Sequence, residues 1–153
     1  MRTGKIPSDW KAAKVSPIHK GGDKTDKNNY RPISVISVVM KMFERAVHDQ
    51  LQSYLIEHNM LAPQQSGFRK GHSTDTVLSY FTDFLLKQMD QGKLTGVVFL
   101  DFRKAFDSVN HEILLQKLQM YGVQGPELAW FKNYLENRKQ KTVIDEAESD
   151  WSN

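Results

Sequence analysis

The stretch of sequence that decides the fold is TGVVFLDFRKAFD, residues 95–107. Its first half is an unbroken apolar run, and that run ends on a carboxylate, Asp101. An apolar run of this length between breaks is typical of a strand buried on both faces. We therefore predict a strand over residues 95–101, with Asp101 emerging where the sheet meets a cleft.

A carboxylate in this position has two interpretations. Burial of an unpaired carboxylate is costly, whereas Mg²⁺ prefers one or two carboxylates together with substrate phosphates. Asp101 and Asp107 are therefore candidate metal ligands. The alternative is that Asp101 only ends the strand and that Asp107 caps or orients the following turn, and for Asp107 we favour this structural role.

The rest of the chain predicts a hairpin, four helices and a further strand. Residues 11–20 predict an edge strand, because Pro17 has no N–H to donate to a ladder, and residues 30–35 predict its return strand. Apolar residues recur at spacings of three and four in the segments that follow. The predicted helices cover residues 37–58, 73–91, 110–121 and 126–137, and another strand could start within residues 138–145.

Composition excludes several classes of protein. The chain has no cysteine, so disulfides, thiolate metal sites and cysteine nucleophiles are absent. No apolar run reaches the roughly 18 residues of a membrane span, and no signal-peptide core is present, so we expect no membrane association and an intracellular location, with nucleus or cytoplasm left open. Residues 1–50 hold ten Lys and Arg against five Asp and Glu, whereas residues 101–153 hold seven against nine. This asymmetry suits a polyanionic partner but also suits ordinary surface solvation.

Three blocks of sequence, in order, resemble reverse transcriptases. FLDFRKAFDSVNHEIL, residues 99–114, is similar to their first catalytic palm motif, and its wording most resembles non-LTR (LINE-type) retrotransposons. VSPIHK with NYRPIS, in residues 15–34, and QSGFRKGHST, residues 65–74, resemble upstream blocks of the same family. The resemblance covers roughly residues 6–145, and three blocks in the expected order are strongly specific.

The resemblance implies an α+β fold made of right-hand polymerase fingers and a partial palm, with helices packed on a small, mainly antiparallel sheet. Residues 1–94 would form a fingers-like region, a hairpin plus two long helices, and residues 95–153 a partial palm with the first catalytic motif. The family's later Pro-Gln-Gly block and its Ala-Asp-Asp turn do not occur in this sequence. We therefore expect the chain to be truncated before the second catalytic carboxylates and to be inactive alone.

The implied activity is RNA-directed DNA polymerisation, with an RNA template, a DNA primer, deoxynucleoside triphosphates and the remainder of the polymerase chain as partners. Two Mg²⁺ ions would be the cofactors. By position in the motif, Asp101 would be the catalytic residue and would ligate both ions, and the backbone carbonyl of Phe102 would join the second ion. Such chemistry consists mostly of positioning and charge neutralisation.

The resemblance also implies a nucleotide-binding set. Phe106 would lie under the incoming sugar and exclude a 2′-hydroxyl, although outside the motif it would be taken for a core residue. Arg103 and Ala105 line the same turn near the triphosphate, and solvation is equally compatible with the Arg103 side chain. On the predicted hairpin, Lys20 and Arg31 would contact the triphosphate, where a guanidinium can bind bidentately and an ammonium acts as a point charge.

Gln65, Arg69 and Lys70 are expected to bind the template, since basic side chains in a loop can track a nucleic-acid backbone. Phe68, beside them, is expected to be packed rather than stacked on a base. The rival function is a noncatalytic nucleic-acid-binding module derived from a retroelement. A phosphoryl-transfer hydrolase with Asp101 as nucleophile is a weaker alternative, because Arg103 stands where such enzymes need a second carboxylate.

Overall fold

The computed structural model describes residues 4–102 and 104–152. The described strands are β1 (Ala12–His19), β2 (Tyr30–Val35), β3 (Lys139–Ile144) and β4 (Ala147–Glu148). The described helices are α1 (Val38–Glu57), α2 (Thr74–Asp90), α3 (His111–Met120) and α4 (Gly125–Leu135), with short 3-10 turns at Ser8–Lys11 and Lys27–Asn29. The α+β class is confirmed.

The chain divides into two units. The first consists of residues 1–54 and 110–153, and the second consists of residues 55–109. All four described strands belong to the first unit, together with α3, α4 and most of α1. The second unit contains α2 and the stretch that carries Asp101. The sequence-based boundary between residues 94 and 95 stays a prediction.

The described strands form one mixed sheet in the order β2-β1-β3-β4. β1 and β2 form the antiparallel hairpin that the sequence predicts, with Ile18 opposite Arg31. β3 then pairs parallel to β1, and β4 pairs antiparallel to β3. The prediction of a mainly antiparallel sheet therefore holds for β1–β2 and β3–β4, while the parallel β1–β3 pairing was not predicted.

β1 lies inside the sheet, so the prediction of an edge strand is wrong. β3 pairs only with residues 12–15 of β1, and Pro17 lies beyond that pairing. On the other side, Pro17 lies opposite Pro32. Antiparallel ladders alternate hydrogen-bonded and non-bonded pairs, and the 2.8 Å bond from Lys20 N to Asn29 O puts the two prolines at a non-bonded pair. Neither neighbour needs a donor from Pro17, which allows β1 to be internal.

The helices begin and end within one to two residues of their predicted bounds, and local capping explains why. The Ser73 hydroxyl accepts from Thr76 N, and the Thr76 hydroxyl accepts from Ser73 N, which is a capping box at the start of α2. The Asn110 side chain accepts from two backbone N–H groups at the start of α3. Pro126 lies in the first turn of α4, where its missing N–H has no helical partner to lose. None of the described helices is long and apolar enough to cross a membrane.

The core of the first unit is built around Trp130. This ring is buried together with Ile6 and Met40, and the Met40 side chain is fully enclosed. Phe43 of α1 meets the Trp130 ring at 5.6 Å between centroids, and Tyr134 stacks on it at 5.3 Å. The Phe43–Trp130 contact joins α1 to α4 through aromatic side chains, which bury a large apolar area.

Residues 95–101 do not form the predicted strand. They have no regular secondary structure, and the side chains of Val98, Phe99 and Leu100 are between 81% and 85% exposed. A strand is stable only when its backbone groups pair with a neighbour, and the four described strands all pair with one another in the first unit. The apolar run therefore lacks a ladder partner among the described residues, and the expected burial does not follow.

Candidate functional site

Asp101 lies at the end of the exposed apolar run, in the second unit. Its side chain is exposed, and so is that of Phe102, whose backbone carbonyl is the second predicted metal ligand. Arg103, predicted to line the nucleotide site, lies outside the described residues. Asp101 is thus open to solvent instead of emerging from a buried strand.

The turn after Asp101 is organised by Ser108. The Ser108 N–H donates to the Lys104 carbonyl at 3.1 Å, and the Ser108 hydroxyl donates to the Ala105 carbonyl at 3.0 Å. Lys104 has a φ of 53°, in the left-handed region that non-glycine residues seldom adopt. These bonds hold a tight turn over residues 104–108, and that turn carries Ala105 and Phe106.

Phe106 is not a core residue in this structure. Its side chain is 78% exposed, and the ring meets the edge of Phe68 at 6.1 Å between centroids with an interplanar angle of 88°. Phe68 is itself 83% exposed, so the expectation that it is packed is wrong. Phe68 lies in a polar loop that is held by hydrogen bonds of Gln65 and Arg69 to backbone carbonyls, so the loop does not depend on burial of the ring.

That loop, residues 62–72, is held by side chains predicted to bind the template. The Arg69 guanidinium donates through Nη1 to the carbonyls of Gln65 and Ala62, at 3.3 and 3.4 Å. Gln65 Nε2 donates to the Gly67 carbonyl at 3.2 Å. Lys70 is exposed on the same loop. The structure therefore brings Gln65 and Arg69 together, and both support the loop on either side of Phe68.

Lys20 and Arg31 lie together on the β1–β2 hairpin of the first unit, and both are exposed. The loop between the strands is well braced: Asn29 Nδ2 donates to the Asp23 carbonyl at 2.9 Å, and the backbone N–H of Thr25 lowers the pKa of the Asp23 carboxyl. Gly22 is required here, because its φ is 82° and an added Cβ would lie 2.8 Å from Asn29 Nδ2. The hairpin presents two cations on an ordered scaffold.

The predicted site residues thus fall into two sets. Asp101, Phe102, Ala105 and Phe106 lie in one segment of the second unit, which also contains the loop of Gln65, Arg69 and Lys70, whereas Lys20 and Arg31 lie in the first unit. Sequence reasoning missed the contact between Phe68 and Phe106. A single aromatic residue inside a polar, glycine-containing loop was the available signal, because binding residues are disproportionately found on loops.

The residues present do not form a complete metal site. Among residues 4–102 and 104–152, no three His, Cys, Asp or Glu side chains converge to hold an ion. Asp101 and the Phe102 carbonyl are hard oxygen donors of the kind that Mg²⁺ prefers. They fit such an ion chemically, but they supply only part of its coordination.

Comparisons with known proteins agree with the motifs. A family model described as "Reverse transcriptase (RNA-dependent DNA polymerase)" matches residues 18–151. The chain is 34% identical over 140 residues to the probable RNA-directed DNA polymerase from transposon BS of Drosophila melanogaster, which covers 91% of this chain and 15% of that protein. It is 32% identical over 147 residues to the RNA-directed DNA polymerase from mobile element jockey of the same species, covering 95% of this chain and 16% of that protein.

A third relative is the Pol polyprotein from the type-1 retrotransposable element R2 of Popillia japonica, 30% identical over 120 residues, or 78% of this chain and 16% of that protein. The chain therefore spans about 15% of the length of the curated relatives that it matches. The family match includes all of Asp101, Phe106 and Arg31, and it includes the loop of Phe68. This chain belongs to the reverse transcriptase (RNA-dependent DNA polymerase) family, and its resemblance to the enzymes of non-LTR retrotransposons is confirmed.

Proposed function

We propose that this chain is part of an RNA-directed DNA polymerase that extends a DNA primer on an RNA template. In the reaction, the primer 3′-oxygen forms a bond to the α-phosphorus of a deoxynucleoside triphosphate, the bond to pyrophosphate breaks, and the 3′-hydroxyl proton is released. The observation that carries the proposal is the family match over residues 18–151, which contains two of the motif blocks and all but residues 15–17 of the first, in order. The named relatives are described as polymerases, which disfavours the noncatalytic binding module.

Asp101 is the proposed catalytic residue. Its exposed carboxylate, with the Phe102 carbonyl, would supply oxygen ligands to Mg²⁺, and carboxylates from the remainder of the polymerase chain would complete the site. The metal, when bound, supplies positive charge that neutralises the phosphate oxygens. Asp101 itself would contribute negative charge and needs no nucleophilic chemistry.

Nucleotide and template contacts are assigned to the exposed cations. On the hairpin, Arg31 and Lys20 would bind triphosphate oxygens, since the braced loop reduces the conformational freedom lost on binding. In the second unit, Lys70 would contact the template backbone. Arg69 already donates to two backbone carbonyls, so we propose that it acts on the template mainly through the loop that it holds.

Asp101→Asn in the complete polypeptide that contains this chain tests the proposal. The substitution keeps size and removes charge, and Asp107→Asn, in the turn six residues later, is the matched control. We expect primer extension with Asp101→Asn to fall at least about 100-fold, with nucleic-acid affinity within twofold of the parent, while Asp107→Asn retains most activity. Full activity of Asp101→Asn would refute the catalytic assignment.

The isolated chain provides a second test. Because the described residues hold no complete metal site, we expect purified residues 1–153 to incorporate no deoxynucleotide at any Mg²⁺ concentration. Measurable template-dependent incorporation by this chain would contradict that expectation and would mean that the residues present suffice.

A further inference from the structure

Two exposed aromatic rings of the second unit contact each other edge to face. Phe68 and Phe106 lie 38 residues apart in sequence, yet their ring centroids are 6.1 Å apart at 88°. With 83% and 78% of their side chains exposed, neither ring is enclosed by a core. An aromatic pair in the open does not arise from general hydrophobic burial, so the elements that hold each ring must account for it.

Phe68 is held in an unusual backbone conformation. Its φ is 61°, in the left-handed region, which for a bulky aromatic residue is a genuine outlier. Such outliers persist only where the surrounding structure over-determines them, and they cluster at functional sites. The determinants are present: Arg69 bonds the carbonyls of Gln65 and Ala62, and Gln65 bonds the Gly67 carbonyl directly before Phe68.

The partner ring is held from the other side. Phe106 belongs to the turn closed by the Ser108 bonds to Lys104 and Ala105. The turn fixes the Phe106 backbone but leaves the side chain free to change rotamer, and exposed side chains do so within picoseconds to nanoseconds. The contact with the Phe68 ring restricts these rotamer changes of the Phe106 ring.

A steric gate needs such restriction. Discrimination against one hydroxyl group depends on a ring placed within about 0.5 Å, and a mobile ring would yield to the larger sugar. We infer that Phe68 is a positioning residue for Phe106, and that the loop of residues 62–72 thereby sets the selectivity for deoxyribonucleotides over ribonucleotides. The inference rests on the proposed function and on Phe106 as the steric gate, which is the role that the motif resemblance implies.

The test measures kcat/KM for a deoxynucleoside triphosphate and for its ribonucleotide counterpart, using the complete polymerase. An edge-to-face aromatic contact of ordinary strength corresponds to a change of roughly two- to tenfold. We expect Phe68→Ala to lower the deoxy-to-ribo ratio of kcat/KM by that factor, mainly through a higher kcat/KM for the ribonucleotide. Phe68→Tyr, which keeps the ring, should have the parental ratio. Tyr80→Ala, which removes an equally exposed aromatic side chain from α2 of the same unit, should leave the ratio unchanged.

A second variant separates the ring from the backbone. Asparagine tolerates the left-handed region, so Phe68→Asn keeps the loop conformation and removes the ring. It should lower the selectivity as Phe68→Ala does. If Phe68→Asn retains the parental ratio, or if both variants slow the two nucleotides equally, Phe68 has only a structural role and the inference is overturned.

The double variant tests whether Phe68 acts through Phe106. Phe68→Ala added to Phe106→Ala should change the ratio no further, because the ring to be positioned is gone. Full multiplication of the two effects would overturn the inference. Loss of selectivity in Phe106→Ala alone, with none in Phe68→Ala, would overturn the inference and leave the gate intact. If Phe106→Ala itself keeps the parental ratio, Phe106 is not the gate and the inference is overturned, while the proposed polymerase function still stands.

Discussion

Tyr134→Phe measures a hydrogen bond between α1 and α4 at the Trp130 core. The Tyr134 hydroxyl donates to Glu44 Oε1 at 2.6 Å, and both residues are partly buried. Phenylalanine keeps the ring that stacks on Trp130 at 5.3 Å and that lies under the Arg138 guanidinium at 4.8 Å. The substitution therefore removes the hydroxyl and little else.

The magnitude follows from the charge of the acceptor. A hydrogen bond to an ionised group contributes about 1.5–3 kcal/mol, and the partial exposure of the pair reduces this through solvent screening. We expect the free energy of unfolding at pH 7 to fall by about 1–2 kcal/mol. This loss of stability includes the cost of leaving the Glu44 carboxylate without the hydroxyl donor, although the carboxylate retains access to solvent.

The pH dependence gives the sharper test. Burial of the phenol raises the pKa of Tyr134 from 10.0 to about 12, and its hydrogen bond to the Glu44 carboxylate is the second-largest cause. Because the folded-state pKa is above that of the unfolded chain, the stabilisation is fully present below pH 10 and is lost as the pH rises towards 12. The stability gap between parent and Tyr134→Phe should therefore be constant from pH 7 to 9 and shrink between pH 10 and 12.

Urea unfolding of both proteins, followed by tryptophan fluorescence at a series of pH values, measures that gap. Tyr80→Phe, a change at an exposed tyrosine of α2, is the control and should shift the unfolding free energy by less than about 0.5 kcal/mol. An equal stability of parent and Tyr134→Phe at pH 7 would refute the energetic argument. A gap that stays constant to pH 12 would refute the assigned titration.

Two further changes test the backbone and the surface. Gly122→Ala should destabilise the protein by about 1–3 kcal/mol in the same urea assay, because Gly122 has a φ of 87° and the new Cβ would lie 2.5 Å from Tyr54 Oη. The matched control is Gly96→Ala, where an added Cβ meets nothing within 4 Å. Equal losses of stability in the two variants would contradict the reasoning. Val98→Lys should leave the unfolding free energy within about 0.5 kcal/mol of the parent's. It should also raise the solubility limit, since it places a charge in the middle of an exposed apolar run. A large loss of stability would mean that this run is packed.

Local elements were predictable because their determinants are local. Ser73 and Asn110 cap their helices through bonds to residues two and three positions along, and the two prolines of the hairpin fit their strands through the alternation of an antiparallel ladder. The position of β1 inside the sheet was not predictable. It depends on β3, more than a hundred residues later in sequence, and no pattern within residues 11–20 specifies a parallel partner.

The stretch around Asp101 shows the same limit at the candidate site. The apolar run of residues 96–100 indicates that burial is favourable, but it does not indicate which surface provides the burial. Because no described strand pairs with residues 95–101, the run stays exposed, and the motif that identifies the family has no ladder to hold it. By contrast, Phe68 and Phe106 are placed by short-range bonds within their own loop and turn. Elements with local support can adopt a defined arrangement without the sheet. Under the proposed roles, we therefore expect substitutions at Phe68 and at Asp101 to affect nucleotide selectivity and metal binding separately.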